Sequence, residues 1–519
     1  MGGPALYRGA LEGGRVPFGD NGGGKGVQST MKKILLLAIV LAAFQPGSLE
    51  ASAQRADKPA SASGSPQTGR EAPRLSEEQR LWVGRAYRHE KHGWVYLHVE
   101  GQPRERGFQH GYLLAKEISE SLHATKAAWE YDSAMDWPWL VAKAKTILRP
   151  TVDAENLAEI EGIAEGLRAA GAPVSPDELI AYNGIIELAA YWWPKEKEKL
   201  QKDAASPSKQ ACSAFIATGS MTADRGIVLG HNTMGGYAES ACNVILDIRP
   251  AKGHRILMQA VPGWIHSGTD FFITDAGLVG AETTIGGFKG FDEKGTAEFV
   301  RMRRATQDAS NIDEWCAIMK KGNNGGYANA WLLGDINTDE IARLELGLKH
   351  LRLERKKDGY FVGSNVAEDL KILRFETSGQ ETDIRRSSVA RRVRWKQLMA
   401  QHAGEINLER AKAMEEDHFD SYLRTIHPGA RSLCGHADLE SLAYGTDIPF
   451  APTGTLDAKV VDTRMAKRMS FAARWGSACG AAFDAPKFLA AHPQFDWMRG
   501  ILKSRPSMPW TEFRAGERQ

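Results

Sequence analysis

Cys212 stands where a polar, charged stretch gives way to an apolar strand pattern. Upstream, residues 196–211 have no apolar periodicity and read as a solvated loop. Downstream, residues 212–219, a turn at Asp224-Arg225-Gly226, and residues 227–232 read as two strands of a hairpin. A thiol on the first residue of a strand, behind a cleavable loop, suits a nucleophile that peptide cleavage uncovers. Cleavage between Ala211 and Cys212 would free an α-amine beside the thiol. That amine, with a pKa of about 7.7 to 8.0, can act as base for a thiol of about 8.5. The plainer reading of such a cysteine is a small buried hydrophobe.

The elements that must hold this residue come in blocks. Residues 75–195 read as mostly helical after one strand at 94–100, and 154–171 place apolar side chains at 157, 160, 163, 164 and 167, with Gly171 as a C-terminal stop. From Cys212 to about Thr284 the period changes to that of strands, including 244–248, 255–260, 271–274 and 278–282, separated by Pro and Gly turns. A helical stretch over 296–321 precedes strands at 330–334 and 341–346, and helical patterns return at 386–401 and 408–418. Strands and helices in separate blocks predict an α+β layered domain with antiparallel sheets, not a parallel β-α-β fold.

Several segments then fall into a known order: Cys212–Ile216, His231-Asn232-Thr233, Ser267–Val279, Glu282–Gly286, Tyr327–Trp331 and Gly363–Val366, with Gly454–Val460 further on and Val99–Gly111 upstream. With these the chain resembles the phospholipase B-like proteins, within the N-terminal nucleophile hydrolases that include the penicillin acyltransferase-like family. The resemblance implies a four-layer αββα sandwich, self-cleavage between Ala211 and Cys212, and hydrolysis of esters or amides. On this reading Cys212 is the nucleophile and its freed amine the base. Asn365, preferred, or Asn329 donates a side-chain N–H to the oxyanion, a type of contact whose loss costs about 2.7 to 4 kcal/mol. His231 either bonds near the thiol, organises the cleavage loop or serves as a structural histidine. Asp270, Thr283 and Thr284 would fix the amine and the cleavage geometry, although Thr is also an ordinary strand residue. Arg386 would be the cationic partner, drawn from a run at 385–392 that offers several candidates. Having His231 and Met234 around Asn232 departs from the bile-salt hydrolase and penicillin V acylase branch, so bile-acid or penicillin specificity does not transfer.

Composition narrows the classes further. Lys plus Arg number 66 against 64 Asp plus Glu, a formal charge of +2, which provides no global field for nucleic acid. Metal, nucleotide and Gly-x-Ser-x-Gly hydrolase motifs are missing from the sequence, so neither cofactor nor metal is expected. Met31-Lys32-Lys33, the apolar run from Ile34 to Phe44 and Ala51-Ser52-Ala53 read as a secretory signal too short to span a bilayer. The expected organisation is therefore a misassigned extension at 1–30 with translation from Met31, a signal peptide at 31–53, a tether at 54–74, a mainly helical part at 75–211 ending in a linker, and the hydrolase core at 212–519. The product would be periplasmic or secreted, without a transmembrane anchor and with transient membrane-surface contact at most. Five cysteines in an exported chain leave one unpaired if the others form disulfides, and Cys212 would be that one; five isolated thiols is the alternative. The expected substrate is a small acyl compound, a phospholipid or an N-acyl amide. The alternatives are an N-acyl amidase, acyltransferase or peptidase, and a lipid-binding protein that keeps the fold without turnover. Trp192, Trp193 and Trp264 can line an apolar pocket or simply pack in the core.

Overall fold

The computed structural model describes residues 75–200, 212–239, 243–268, 271–442 and 448–518. The expected extension, signal peptide, cleavage site and tether lie outside these residues, as do Ala211, Cys242 and Asp270.

Two sheets form the centre. The larger runs β1 (Tyr87–Lys91), β2 (Trp94–Gly101), β5 (Val244–Pro250), β6 (Ile256–Ala260), β7 (Phe271–Thr274), β8 (Leu278–Thr284), β9 (Asn329–Asp335), β10 (Glu340–Leu346), β11 (Leu351–Lys356). The smaller runs β12 (Gly359–Gly363), β3 (Ser213–Thr218), β4 (Val228–Gly236), β15 (Thr453–Asp462), β16 (Ser470–Trp475), β17 (Thr511–Arg514). A separate ribbon pairs β13 (Phe419–Asp420) with β14 (Thr425–Ile426). The ladders are antiparallel except β2 against β5, which is parallel and carries the segment before Cys212 into the same sheet as the segment after it.

The sheets pack face to face. Phe271 meets Phe471 at 5.1 Å between ring centroids and Trp94 meets Phe513 at 6.1 Å, each pair spanning both sheets. Gly334 of β9 comes so close to β3 that an added Cβ would lie 3.1 Å from Ile216. The outer faces carry helices. Trp315 on the helix Ile312–Lys320 packs edge-on against Trp331 of β9, and Trp395 on the helix Ser387–Gln401 covers Phe215 of β3 while donating to Ser213 Oγ at 2.8 Å. This is a four-layer αββα sandwich of the α+β class. Because both sheets are covered on both sides, β3 is buried at every position and its sequence shows no polar alternation.

Local differences from the sequence reading have identifiable causes. The single helical stretch expected over 296–321 is two helices, Glu298–Asp308 and Ile312–Lys320, because Asn311 caps the second by accepting from Glu314 N–H. The charged stretch after Trp193 begins as helix, Trp193–Leu200, with Glu196 and Lys199 paired one turn apart, not as loop. β1 escaped notice because Tyr87–Lys91 is half exposed and polar. The helices Pro103–Leu113 and Ala154–Ala169 cross on reciprocal glycines: a Cβ on Gly107 would lie 2.0 Å from Glu159 O, and one on Gly162 would lie 2.3 Å from Arg104 O.

Candidate active site

Cys212 sits at the entrance to β3, 5% exposed. Its position follows from pairing on both flanks. β3 runs between β12, where Gly363 faces Ala214, and β4, where Asn232 faces Ser213. That pair ends the β3–β4 ladder, and the next residue of β4, Thr233, faces Asp457 of β15. On the other flank the chain leaves β12 and reaches Asn365, whose φ of +68° is left-handed, a conformation Asn tolerates better than most residues.

Arg391 joins these parts. It lies on the helix Ser387–Gln401, is fully buried, and donates from Nη1 to Cys212 O at 2.6 Å, from Nη2 to Asn365 Oδ1 at 2.9 Å and from Nε to Ser387 Oγ at 3.2 Å. Burial pushes its pKa down to about 10, with Cys212 opposing the shift, so the guanidinium stays charged at neutral pH. Among the described residues no carboxylate pairs with it, an unusual state for a buried cation, and one that favours an anion arriving beside Cys212 and Asn365. Arg386, the arginine preferred from sequence, caps the same helix, is exposed, and lines a cavity rather than touching Cys212.

The two candidate oxyanion donors differ in their surroundings. Asn365 gives one amide hydrogen to Thr284 O at 2.7 Å and keeps a second. Asn329 opens β9 opposite Thr284, is wholly buried, and neither its amide nitrogen nor its oxygen has a partner. A buried amide without partners costs about 1 to 3 kcal/mol, a cost that a bound substrate would relieve. Just before it, Tyr327 has a φ of +54°, strained for an aromatic residue, and its hydroxyl donates to Glu282 Oε1 at 2.6 Å.

Thr283 and Thr284 point to opposite faces of β8. Thr283 is directed at the second sheet, where a Cβ on Gly363 would lie 2.4 Å from its Oγ1, and that hydroxyl is buried without a partner. Thr284 lines the cavity. His231 Nε2–H donates across the sheets to Glu282 O at 2.9 Å. Burial first, and the Lys459 charge second, hold this ring well below the usual histidine pKa, so it is neutral. The bond ties β4 to β8.

Sequence reading gave no role to the buried group beside this row. Lys459 Nζ donates to Thr233 Oγ1 at 2.5 Å and to Asp457, and Thr233 donates to Asp457 Oδ1 at 3.0 Å. Asp457 Oδ2 is left unpartnered, and burial raises this carboxyl above the usual range. The signal was available, since an Asp and a Lys two apart on a strand share one face, but nothing in the sequence says that this face is inward.

A cavity of about 890 Å³ opens over the same end of the molecule. Thr284 and Asn365 border it, with Tyr191, Trp193, Phe288 and Phe375 among its walls and charges of both signs around them. Trp192 and Trp264 are core residues, the latter stacked on His266 at 5.0 Å. Among the described residues no helix is long and apolar enough to cross a membrane, and no two cysteines are joined by a disulfide.

Residues 158–349 match the family described as Phospholipase B. Over 261 residues the chain is 25% identical to an uncharacterised protein of Archaeoglobus fulgidus, covering 47% of this chain and 41% of that one. It is 31% identical to the phospholipase B-like 2 protein of Homo sapiens over 156 residues, 26% of each chain. The chain thus spans well under half the length of these relatives. Penicillin V acylase from Agrobacterium tumefaciens aligns with 52% of this chain and 77% of its own at 12% identity and a TM-score of 0.26, too low to add to what the strand pairing establishes.

Proposed function

From a chain related through its middle to the phospholipase B-like proteins, we propose an exported acyl hydrolase in which Cys212, freed by self-cleavage, attacks ester or amide carbonyls. The observation that carries this is the buried Arg391, held between Cys212 O and Asn365 Oδ1 without a carboxylate partner among the described residues. A cation so placed stabilises a thiolate and, after attack, the tetrahedral oxyanion. In a site closed to water such preorganised charge is usually the largest single contribution to catalysis.

In the first stage Cys212 Sγ attacks the carbonyl carbon of Ala211, and the peptide bond is replaced by a thioester as the nitrogen becomes the free amine. Water then hydrolyses the thioester, leaving chains 54–211 and 212–519 associated through the β2–β5 ladder. In the second stage the amine takes the thiol proton, the thiolate attacks the substrate carbonyl, and the leaving alcohol or amine departs with that proton. Water completes the cycle by releasing the acid. Asn365, Asn329 and Arg391 face the developing charge, and Thr283, Asp270 and the Thr233–Asp457–Lys459 group would orient the amine. The aromatic walls of the cavity suit an acyl chain.

Intact-mass measurement of the purified protein, with hydrolysis assays on phospholipids and N-acyl amides, tests the reading. The active species should be two chains beginning at Gln54 and Cys212, and Cys212→Ala should remain one chain and be inactive. A fully active protein that is continuous through Cys212 would refute it. Turnover of amides but not phospholipids would place the activity with the acylases.

A further inference from the structure

Outside this site, His418, Cys434, His436 and Cys479 bring four ligand atoms within 4.8 Å of one another. They come from three separate places: the loop after the helix Leu408–Glu415, the loop leading to β15, and the turn after β16. His418 Nε2 and His436 Nε2 are 3.2 Å apart, and His436 Nε2 lies 3.4 Å from Cys434 Sγ and 3.5 Å from Cys479 Sγ. A zinc ion with Zn–S of about 2.3 Å and Zn–N of about 2.05 Å has tetrahedral edges of about 3.3 Å between nitrogens and about 3.6 Å between nitrogen and sulfur. The three separations match those edges to within about 0.2 Å.

We propose that these two cysteines and two histidines form a structural zinc site. Both thiols give up their protons to solvent on binding, and the two thiolates neutralise the ion's charge. The surroundings fit that chemistry. Cys434 and His436 are buried, and Ala458 and Ala478 pack against Cys434 in a small apolar cluster. Cys479 N–H donates to Cys434 Sγ at 3.3 Å, the kind of bond that steadies a bound thiolate. The carboxylate of Asp438 faces His436 Nδ1 at 3.9 Å and is itself held by the Tyr237 hydroxyl at 2.9 Å, an outer carboxylate of the kind that orients a ligating imidazole.

The ion would clamp the segment 415–436 against the inner strands. Asn232 of β4 donates to Glu415 O and Leu433 O within the same segment, and Ser387, which accepts from Arg391, donates to Ala430 O at 2.6 Å. The four ligands follow none of the short metal motifs, so the expectation of a metal-free chain rested on spacing that this site does not use. In an exported chain the rival arrangement is a disulfide between Cys434 and Cys479.

The test is to purify the full chain, dialyse it against Zn²⁺ and then against buffer, and measure bound metal by mass spectrometry. About one zinc per chain is expected, falling below about a tenth of that in the Cys434→Ser/Cys479→Ser double variant. Replacement by Co²⁺ in the wild-type protein should produce thiolate charge-transfer and tetrahedral d–d absorption, a readout that does not depend on any variant folding. Wild-type protein that retains no zinc and gives no such Co²⁺ spectrum, or a peptide map showing Cys434 disulfide-bonded to Cys479, overturns the proposal.

Discussion

At the scale of single residues, the arginine matters more than the spacing of the run that contains it. Arg386 and Arg391 belong to one helix and its cap, yet the first is exposed and the second is buried against Cys212 and Asn365. Arg391→Lys keeps a charge but cannot hold both acceptors, so turnover should fall by about 10² or more, whereas Arg386→Ala should stay close to wild type. Steady-state kinetics on both variants decides between them, and equal losses would return Arg386 to the site. The amides make a second pair. Asn365→Ala removes an acceptor for Arg391 as well as a donor, so it should lower turnover by about 10² to 10³ and also loosen the arginine. Asn329→Ala removes a group with no partner in the resting site, so it should lower turnover with little cost in stability. Thermal melting beside kinetics separates the two; a large melting loss for Asn329→Ala would show that the amide is satisfied after all.

The elements hold this site by close approach. The helices Pro103–Leu113 and Ala154–Ala169 share glycines at their crossing, and the first of them carries Arg106 and His110 into the core. Arg106 Nε donates to Glu159 Oε2 at 2.6 Å, and Arg303 shares the same oxygen at 3.1 Å. His110 Nε2 accepts from Gly263 N–H at 3.0 Å, which fixes its neutral tautomer. Gly107→Ala would push a methyl into the Glu159 carbonyl and separate the helices, at a cost of about 1 to 3 kcal/mol or more. Chemical denaturation checks this against Gly84→Ala, where an added Cβ meets nothing within 4 Å, and a neutral Gly107→Ala would refute the tight crossing.

At the scale of the whole molecule, three buried histidines resist protonation. Burial drives His110 down to about 4 and His266 to about 3, and holds His231 well below its usual value. Each folded pKa lies below the unfolded value near 6.5, so the unfolded chain binds protons that the native chain refuses. Their contribution is complete above about pH 6.5 and is lost as pH falls toward about 3 to 4. The slope reaches about 1.4 kcal/mol per pH unit for each histidine in that window. Nuclear magnetic resonance titration of the ring protons should therefore find His110 and His266 neutral in the native state at about pH 5, and a ring that titrates near 6.5 would refute this.

Much of this was legible in the chain because it depends on neighbours in sequence. The strands from 244 to 284, the helices at 154 and 387 and the abrupt change of pattern at Cys212 all follow from local periodicity, which burial on one or both faces imposes directly. The ordered motifs led to the sandwich that the strand pairing displays. Tertiary structure decided what depends on phase and on distance along the chain. Which arginine turns inward is set by how the helix Ser387–Gln401 docks on β3, and its charge run looks the same from either side. Asp457 and Lys459 become a buried pair only because β15 lies beside β4 between two covered layers. His418, Cys434, His436 and Cys479 meet because three loops converge, and no local pattern encodes a convergence of segments that lie so far apart along the chain.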